Sequence, residues 1–226
     1  MKYPIPAYIF LGLFVLASIV QLFFAFIENQ KWRGREKFLC LLFLGISAIF
    51  AFPNEPLIYC GAFLGMIGDI LVLYKTNKKL FSIGSTAFCL GHICYIMEVL
   101  WRIVGFENIL WWHPVLIVGV LLTVLITMAL VCKFKTNHST FDCIGQSLYF
   151  AVLISYIPVF AIALNSVGGS MYLSLIGAIL FIISDCILTY THFGNKFKRY
   201  DFYIMLPYLL AEVLIVAGFV LTLAAK

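Results

Sequence analysis

The sequence predicts an all-α polytopic membrane protein, eight transmembrane helices arranged as two parallel four-helix repeats. Three observations predict it. Hydrophobic residues make up 64% of the 226 positions and charged ones 11%, with a mean hydropathy of +1.07, far outside the soluble globular range. The apolar residues run in continuous stretches rather than alternating, which favours helices over barrel strands. Finally, GAFLGMIGDILVLY at 61–74 aligns without gaps on GAILFIISDCILTY at 177–190. The shared frame is G-A-x-L-x-x-I-x-D-x4-Y, at an offset of 116 residues, close to half the chain.

The apolar stretches fall at 5–27, 37–52, 57–74, 80–101, 113–133, 143–164, 170–192 and 201–224. Most reach the ~20 residues that a helix needs to cross ~30 Å of hydrocarbon. The first carries no cleavable-signal pattern: the run after Lys2 is too long for an h-region and lacks a clear A-x-A site, so the span is expected to be retained. The second is short, and its exit FPNEP at 52–56 is a tight turn leading into the third. The whole chain, 1–226, is expected to form one integral membrane domain, with repeat halves of about 1–108 and 109–226.

Orientation follows from the basic residues. Twelve of the fifteen Lys and Arg fall between spans 1–2, 3–4, 5–6 and 7–8: Lys31, Arg33, Arg35, Lys37, Lys75, Lys78, Lys79, Lys133, Lys135, Lys196, Lys198 and Arg199. Only Lys2, Arg102 and Lys226 lie on the other side. The positive-inside rule puts those loops in the cytoplasm and both termini on the outer or lumenal side. The membrane would be the plasma membrane of a bacterium or the endoplasmic reticulum of a eukaryote. The net charge of +5 is thus a topology signal; no separate basic patch supports a nucleic-acid partner. Seven cysteines (40, 60, 89, 94, 132, 143 and 186) lie mostly in or beside spans with no C-x-x-C pair, and read as small buried hydrophobes, neither a disulfide framework nor a thiolate metal site.

An ionisable group at the centre of a membrane helix costs about 3 kcal/mol on insertion scales. This chain carries Asp69 and Asp185 at equivalent places, and a pair held at such cost is expected to be used. Both helices run from outside to inside under the predicted topology, which makes the repeat parallel, a layout also found among transporters. The same offset sets His92 on Tyr208, Tyr95 on Ala211 and Ile96 on Glu212. Matched positions therefore bear different polar groups, as an asymmetric site at a pseudo-twofold interface would.

Helical spacing collects these residues on stripes. Gly61, Gly65, Gly68, Asp69 and Val72 share one face of the third span, where small residues let another helix approach. Gly177, Ser184 and Asp185 do the same on the seventh, interrupted by Phe181. Gly84, Phe88, Gly91, His92 and Tyr95 line the fourth, and Tyr208 and Glu212 are i, i+4 neighbours on the eighth. At ~1.5 Å per residue, Asp69 lies ~8–9 Å from the cytoplasmic end, Asp185 ~11–12 Å, Glu212 ~16–17 Å and His92 ~18 Å. All four can surround one cavity.

Each member alone has a plainer reading. An aspartate beside glycines can simply bond across helices or pair with Lys75 reaching back from the interface, and His92 can be a structural hydrogen-bonder. Glu98 and His113, near span ends, are expected to face interfacial water. The loop lysines are topology determinants before they are phosphate ligands.

Two carboxylates in a low dielectric resist joint ionisation, so one holds a proton near neutral pH. A neutral acid beside a carboxylate can cleave a bond through an oxocarbenium-like state, with His92 as proton shuttle or as a hold on one carboxylate. The same pair could relay protons or bind a cation in a small transporter or lipid-binding protein, although spans 1, 2, 5 and 6 add no carboxylates at pore-lining positions. An intramembrane aspartyl protease is disfavoured: its G-x-G-D is replaced by MIGD ending at Asp69 and IISD ending at Asp185.

Gly68-Asp69 followed by Phe88-x-x-Gly91-His92-x-x-Tyr95, and GAILF at 177–181 with Ser184-Asp185 and Phe193 beyond, resemble the YhhN-like lysoplasmalogenases. The resemblance covers mainly residues 58–100 and 173–220; spans 1, 2 and 5 match only in hydropathy and order. The family usually shows Tyr-x-x-Ala-Gln in the last helix, where this chain reads YLLAE ending at Glu212. The resemblance implies hydrolysis of the sn-1 vinyl ether of a lysoplasmalogen to a fatty aldehyde and glycerophospho-ethanolamine or -choline. Asp69 and Asp185 would be the acid and anion, assisted by His92, while Tyr95, Ser184, Tyr208, Glu212, Gly68 and Gly91 would line or orient. The chemistry calls for no cofactor or metal. The expected partners are a lysophospholipid substrate and the bilayer, and the sequence leaves room for an oligomer.

Overall fold

A computed structural model describes residues 3–73, 78–105, 113–133, 140–193 and 196–224. Lys75 and Lys135 lie outside the described residues, as do the side chains of Lys31, Arg33, Arg35, Lys78, Arg102, His113, Cys132, Lys133, Cys143 and Phe193. Within that range the chain forms eight α-helices and no strand: α1 Ile5–Phe26, α2 Gln30–Ala51, α3 Pro56–Val72, α4 Lys78–Glu98, α5 His113–Lys133, α6 Thr140–Val167, α7 Met171–Phe193 and α8 Tyr200–Ala224. One helix answers each apolar stretch. A π-helical turn, Val99–Val104, extends α4.

Two boundaries differ from the sequence expectation for a physical reason. Hydropathy ends the second span at residue 37, yet α2 begins at Gln30, so Lys31, Arg33 and Arg35 sit on helix rather than loop. Long basic residues are good helix formers, and backbone continuity does not need an apolar side chain. Likewise α6 runs past both ends of its apolar stretch.

Among the described residues, α1, α4 with its extension, α6, α7 and α8 are long and apolar enough to cross a membrane, and the described apolar runs of α2, α3 and α5 are shorter. The chain is thus a multi-pass membrane protein by the length and apolarity of its helices. The surface agrees. Val115, Val118, Leu121, Leu122, Leu125, Ile126 and Leu130 are all exposed on α5, whereas Asp69, His92, Ser184, Asp185 and Glu212 are buried. Apolar residues outside and polar ones inside is the distribution that lipid rewards.

Contacts order the helices as a ring, α2–α3–α4–α6–α7–α8 and back to α2, with α1 packed on α2 and α8, and α5 on α6. At one end of the seam between first and last helices, the Glu28 Oε1 accepts the Arg199 backbone N–H at 2.7 Å and the Arg199 guanidinium stacks on Phe26 at 3.9 Å.

The two tightest helix pairs, α3–α4 and α7–α8, pack in the same register. Gly61 lies against the Tyr95 ring, and Gly177 against the Ala211 carbonyl; Gly68 lies against Phe88, and the Ser184 hydroxyl donates to the Ile204 carbonyl. An offset of 116 residues carries the Gly61–Tyr95 contact onto Gly177–Ala211 and the Gly68–Phe88 contact onto Ser184–Ile204. Glycine is required where backbones nearly touch: a Cβ at Gly91 would lie 2.9 Å from the Gly61 carbonyl oxygen, and one at Gly177 2.8 Å from that of Ala211.

Candidate active site

The site lies at the end of the ring where α3 and α7 finish and α2, α4, α6 and α8 begin, the end that carries the basic loops. A narrow cleft with about 40 Å³ of free space opens there. Its walls are Val72 from α3, Phe81 and Phe88 from α4, Phe181 and Leu188 from α7, and Ile204 from α8; its polar groups are Lys37, Ser85, Gln146, Tyr149, Ser184, Asp185, Thr189 and Tyr208. Apolar walls with polar groups convergent among them are the usual form of a small-molecule site.

Asp185 faces the cleft. Its Oδ2 accepts a short hydrogen bond from the Tyr149 hydroxyl. Behind Tyr149 stands His92, with Nε2 at 3.4 Å from the Tyr149 Oη and Nδ1 at 2.7 Å from the Tyr156 Oη. One proton arrangement satisfies every member: Tyr156 donates to Nδ1, Nε2–H donates to Tyr149, and Tyr149 donates to Asp185. The imidazole is neutral in that arrangement. Its ring is fixed by edge-on packing against Phe181 at 4.5 Å and Tyr156 at 5.1 Å.

Asp69 is fully buried behind the cleft wall. The Lys37 ammonium is ion-paired with its Oδ1 at 2.6 Å, and the Tyr208 hydroxyl donates to its Oδ2 at 2.9 Å. The Lys37 ammonium also sits over the Tyr208 ring at 5.3 Å. Lys37 and Asp69 are within Coulombic reach of Asp185. Pro207 stands in α8 just before Tyr208 and removes one backbone N–H from the ladder at this level.

Of the expected residues, Asp185, Ser184 and Tyr208 line the cleft, and Asp69 joins them through Lys37 and Tyr208. His92 reaches Asp185 only through Tyr149. Ser184 spends its hydroxyl on the Ile204 carbonyl at 2.9 Å, so it fixes the α7–α8 contact. Gly68 makes room for Phe88, whose ring would lie 2.6 Å from a Cβ there. Gly91 belongs to the helix contact already described. Tyr95 and Glu212 form a separate buried pair deeper in the ring, the Tyr95 hydroxyl donating to Oε2 at 3.3 Å.

Three expectations need correction. Lys37, placed among the loop residues, is a helical residue whose side chain is 15% exposed and ion-paired with Asp69. The paired lysine is therefore Lys37, whereas Lys75 lies outside the described residues. Glu98, expected in interfacial water, is 1% exposed where α4 passes into its π turn. Tyr149 and Tyr156 are not among the expected residues, because a neutral phenol does not stand out in an apolar span as a carboxylate does. Gln146, Tyr149, Leu153, Tyr156 and Phe160 nevertheless recur at i, i+3, i+7, i+10 and i+14, a stripe that would have placed both phenols on one face.

Among the described residues no cluster of His, Cys, Asp or Glu has the makings of a metal site. The model of the YhhN family matches residues 36–219. Neither the curated proteins nor the solved structures provide a match. The matched range runs from the start of the α2 apolar run through nearly all of α8, and so includes every residue of the cleft. The chain is a member of the YhhN family.

Proposed function

We propose that this protein is a lysoplasmalogenase: an intramembrane hydrolase that cleaves the sn-1 vinyl ether of lysoplasmenyl-ethanolamine or -choline. Membership of the YhhN family agrees with such a role. The observation that carries it is that Asp185 of α7 faces one cleft at the basic end of the ring, while Asp69 of α3, buried behind the cleft wall, is tied to the cleft residues Lys37 and Tyr208.

In this reading all eight helices cross the bilayer as two parallel four-helix halves, with both termini outside and the cleft open to the cytoplasmic leaflet. A lysolipid enters with its phosphate at the basic end, near Lys79, Lys196, Lys198 and Arg199. Its alkenyl chain lies among Phe81, Phe88, Phe181, Leu188 and Ile204. The vinyl ether, a few bonds below the phosphate, then comes level with the aspartates.

One carboxylic acid of the pair gives its proton to the β-carbon of the vinyl ether. The C=C π electrons form the new C–H bond, and the ether oxygen shares the positive charge as an oxocarbenium ion. Carboxylate charge stabilises that cation. Water adds to the oxocarbenium carbon and returns a proton to the carboxylate, regenerating the acid. The hemiacetal collapses, its hydroxyl proton passing to the departing glycerol oxygen, to give a fatty aldehyde and the glycerophospho-base. Protons balance over the cycle, and no redox partner is required.

The test is incubation of purified protein with a lysoplasmalogen and with its saturated-ether analogue. Aldehyde from the first alone is the expected result. Equal turnover of both lipids, or none, overturns the vinyl-ether chemistry.

A further inference from the structure

The proposed reaction needs one acid and one anion, and the sequence offers two aspartates in similar frames. Their surroundings differ in kind. Asp69 has an ammonium at 2.6 Å on one oxygen and a phenol O–H at 2.9 Å on the other, and no exposure through which water could replace either. Both contacts suit an ionised carboxylate, and a neutral Asp69 would leave Lys37 as a nearly buried cation without a counter-ion. Asp185 has a phenol donor on one oxygen and, among the described residues, no ammonium within ion-pair distance. It also faces the cleft, where a reacting carbon can reach it.

We infer that Lys37 is a positioning residue that fixes Asp69 as the permanent anion and leaves Asp185 to carry the transferable proton. This deepens the hydrolytic reading and takes its consequence from it. Asp185 protonates the vinyl carbon, and its conjugate carboxylate, facing the oxocarbenium, takes the proton of the incoming water. Asp69 stays charged throughout, its charge balanced by Lys37.

The titratable and charged neighbours are few. Facing Asp69 are Lys37 from α2 and Tyr208 and Glu212 from α8, with Asp185 of α7 across the cleft wall. Facing Asp185 are Tyr149 from α6, Lys37 from α2, Asp69 from α3, Glu212 from α8 and its chain neighbour Cys186, with His92 of α4 behind Tyr149. Lys37 is the ion-pairing cation in this set, so its removal bears chiefly on Asp69.

Infrared spectroscopy of the substrate-free protein at neutral pH tests the assignment. The carbonyl stretch of a neutral carboxylic acid should be lost in Asp185→Asn and kept in Asp69→Asn; any contribution of Glu212 is identified with Glu212→Gln. Lys37→Met should gain a second neutral-acid band that disappears in the double variant Lys37→Met/Asp69→Asn. Lys37→Arg, which keeps the charge, should show the wild-type pattern. Loss of the band in Asp69→Asn, no new band in Lys37→Met, or an Arg variant that behaves like Met would each overturn the inference. Should Lys37→Met fail to fold, the two Asn variants still decide. Aldehyde release is assayed on the same wild-type sample: its absence refutes the hydrolase reading and leaves the spectroscopic answer standing.

Discussion

The surroundings of Asp69 and Asp185 are built on one plan and filled with different chemistry. Each aspartate is met by the helix just before it in the ring, α2 for Asp69 and α6 for Asp185. Tyr208 of α8 bonds Asp69 directly, whereas His92 of α4, which a 116-residue offset sets on Tyr208, reaches Asp185 only through Tyr149. On one side the preceding helix supplies an ammonium, on the other a phenol. One carboxyl thus faces the cleft and the other lies behind its wall, each with a different kind of partner. A symmetric fold with two like charges could bind an ion; unlike partners are what a sequence of proton transfers needs.

The largest effect expected is on the carboxyls themselves. Asp185→Asn and Asp69→Asn should each lower aldehyde release by about 100- to 10,000-fold, the range for losing a positioned acid or base, with a monodisperse protein by size-exclusion chromatography. A near-normal rate in either would remove that residue from the mechanism. Next come the phenols, which test whether the two surroundings are unequal. Tyr149→Phe strips Asp185 of its donor and breaks the chain to His92, whereas Tyr208→Phe leaves Asp69 with Lys37. The Tyr149 bond becomes charge-assisted as Asp185 gives up its proton, and such a bond contributes about 1.5–3 kcal/mol, so the first should lower kcat by roughly 10- to 100-fold and the second by less. Equal losses would show that Lys37 does not carry Asp69.

The helix pairs offer a comparison of their own. Gly91→Ala and Gly177→Ala each drive a Cβ against a backbone carbonyl, and overpacking of this kind costs about 1–3 kcal/mol. Thermal unfolding in detergent should drop by similar amounts for both, and a large inequality would argue against a common register. The smallest effect belongs to Glu212→Gln, which restores the family's usual residue. Gln can still accept from Tyr95, and turnover should stay within about fivefold, less than the worth of one hydrogen bond.

Much of this was legible in the sequence. Hydropathy located every helix, because lipid exposure imposes a composition on whole segments. The internal repeat singled out Asp69 and Asp185, and the offset that sets His92 on Tyr208 pointed to matched positions with unmatched groups. What stayed hidden is what depends on side-chain reach across helices. Lys37 read as a topology marker because a lysine at a span end has the same sequence context whether it snorkels to phosphate or turns inward to an aspartate. Tyr149 and Tyr156 lay on a span scanned for charge, though neutral phenols supply donors as well as charged groups do. Ser184 lines the cleft, and its hydroxyl bonds the Ile204 carbonyl of the partner helix, a contact that spacing along one helix does not reveal.

The hairpins α3–α4 and α7–α8 join helices adjacent in the chain, so their contacts close short loops and form at small entropic cost. The bonds that make the site are of another kind: Tyr208 to Asp69 spans 139 residues, and His92 to Tyr156 spans 64. During synthesis Asp69 can meet Lys37 long before Tyr208 exists, while His92 waits for α6. A half-made chain thus already holds both members of the Lys37–Asp69 pair, while Asp185 on α7 follows its phenol on α6, and only α8, made last, closes the ring.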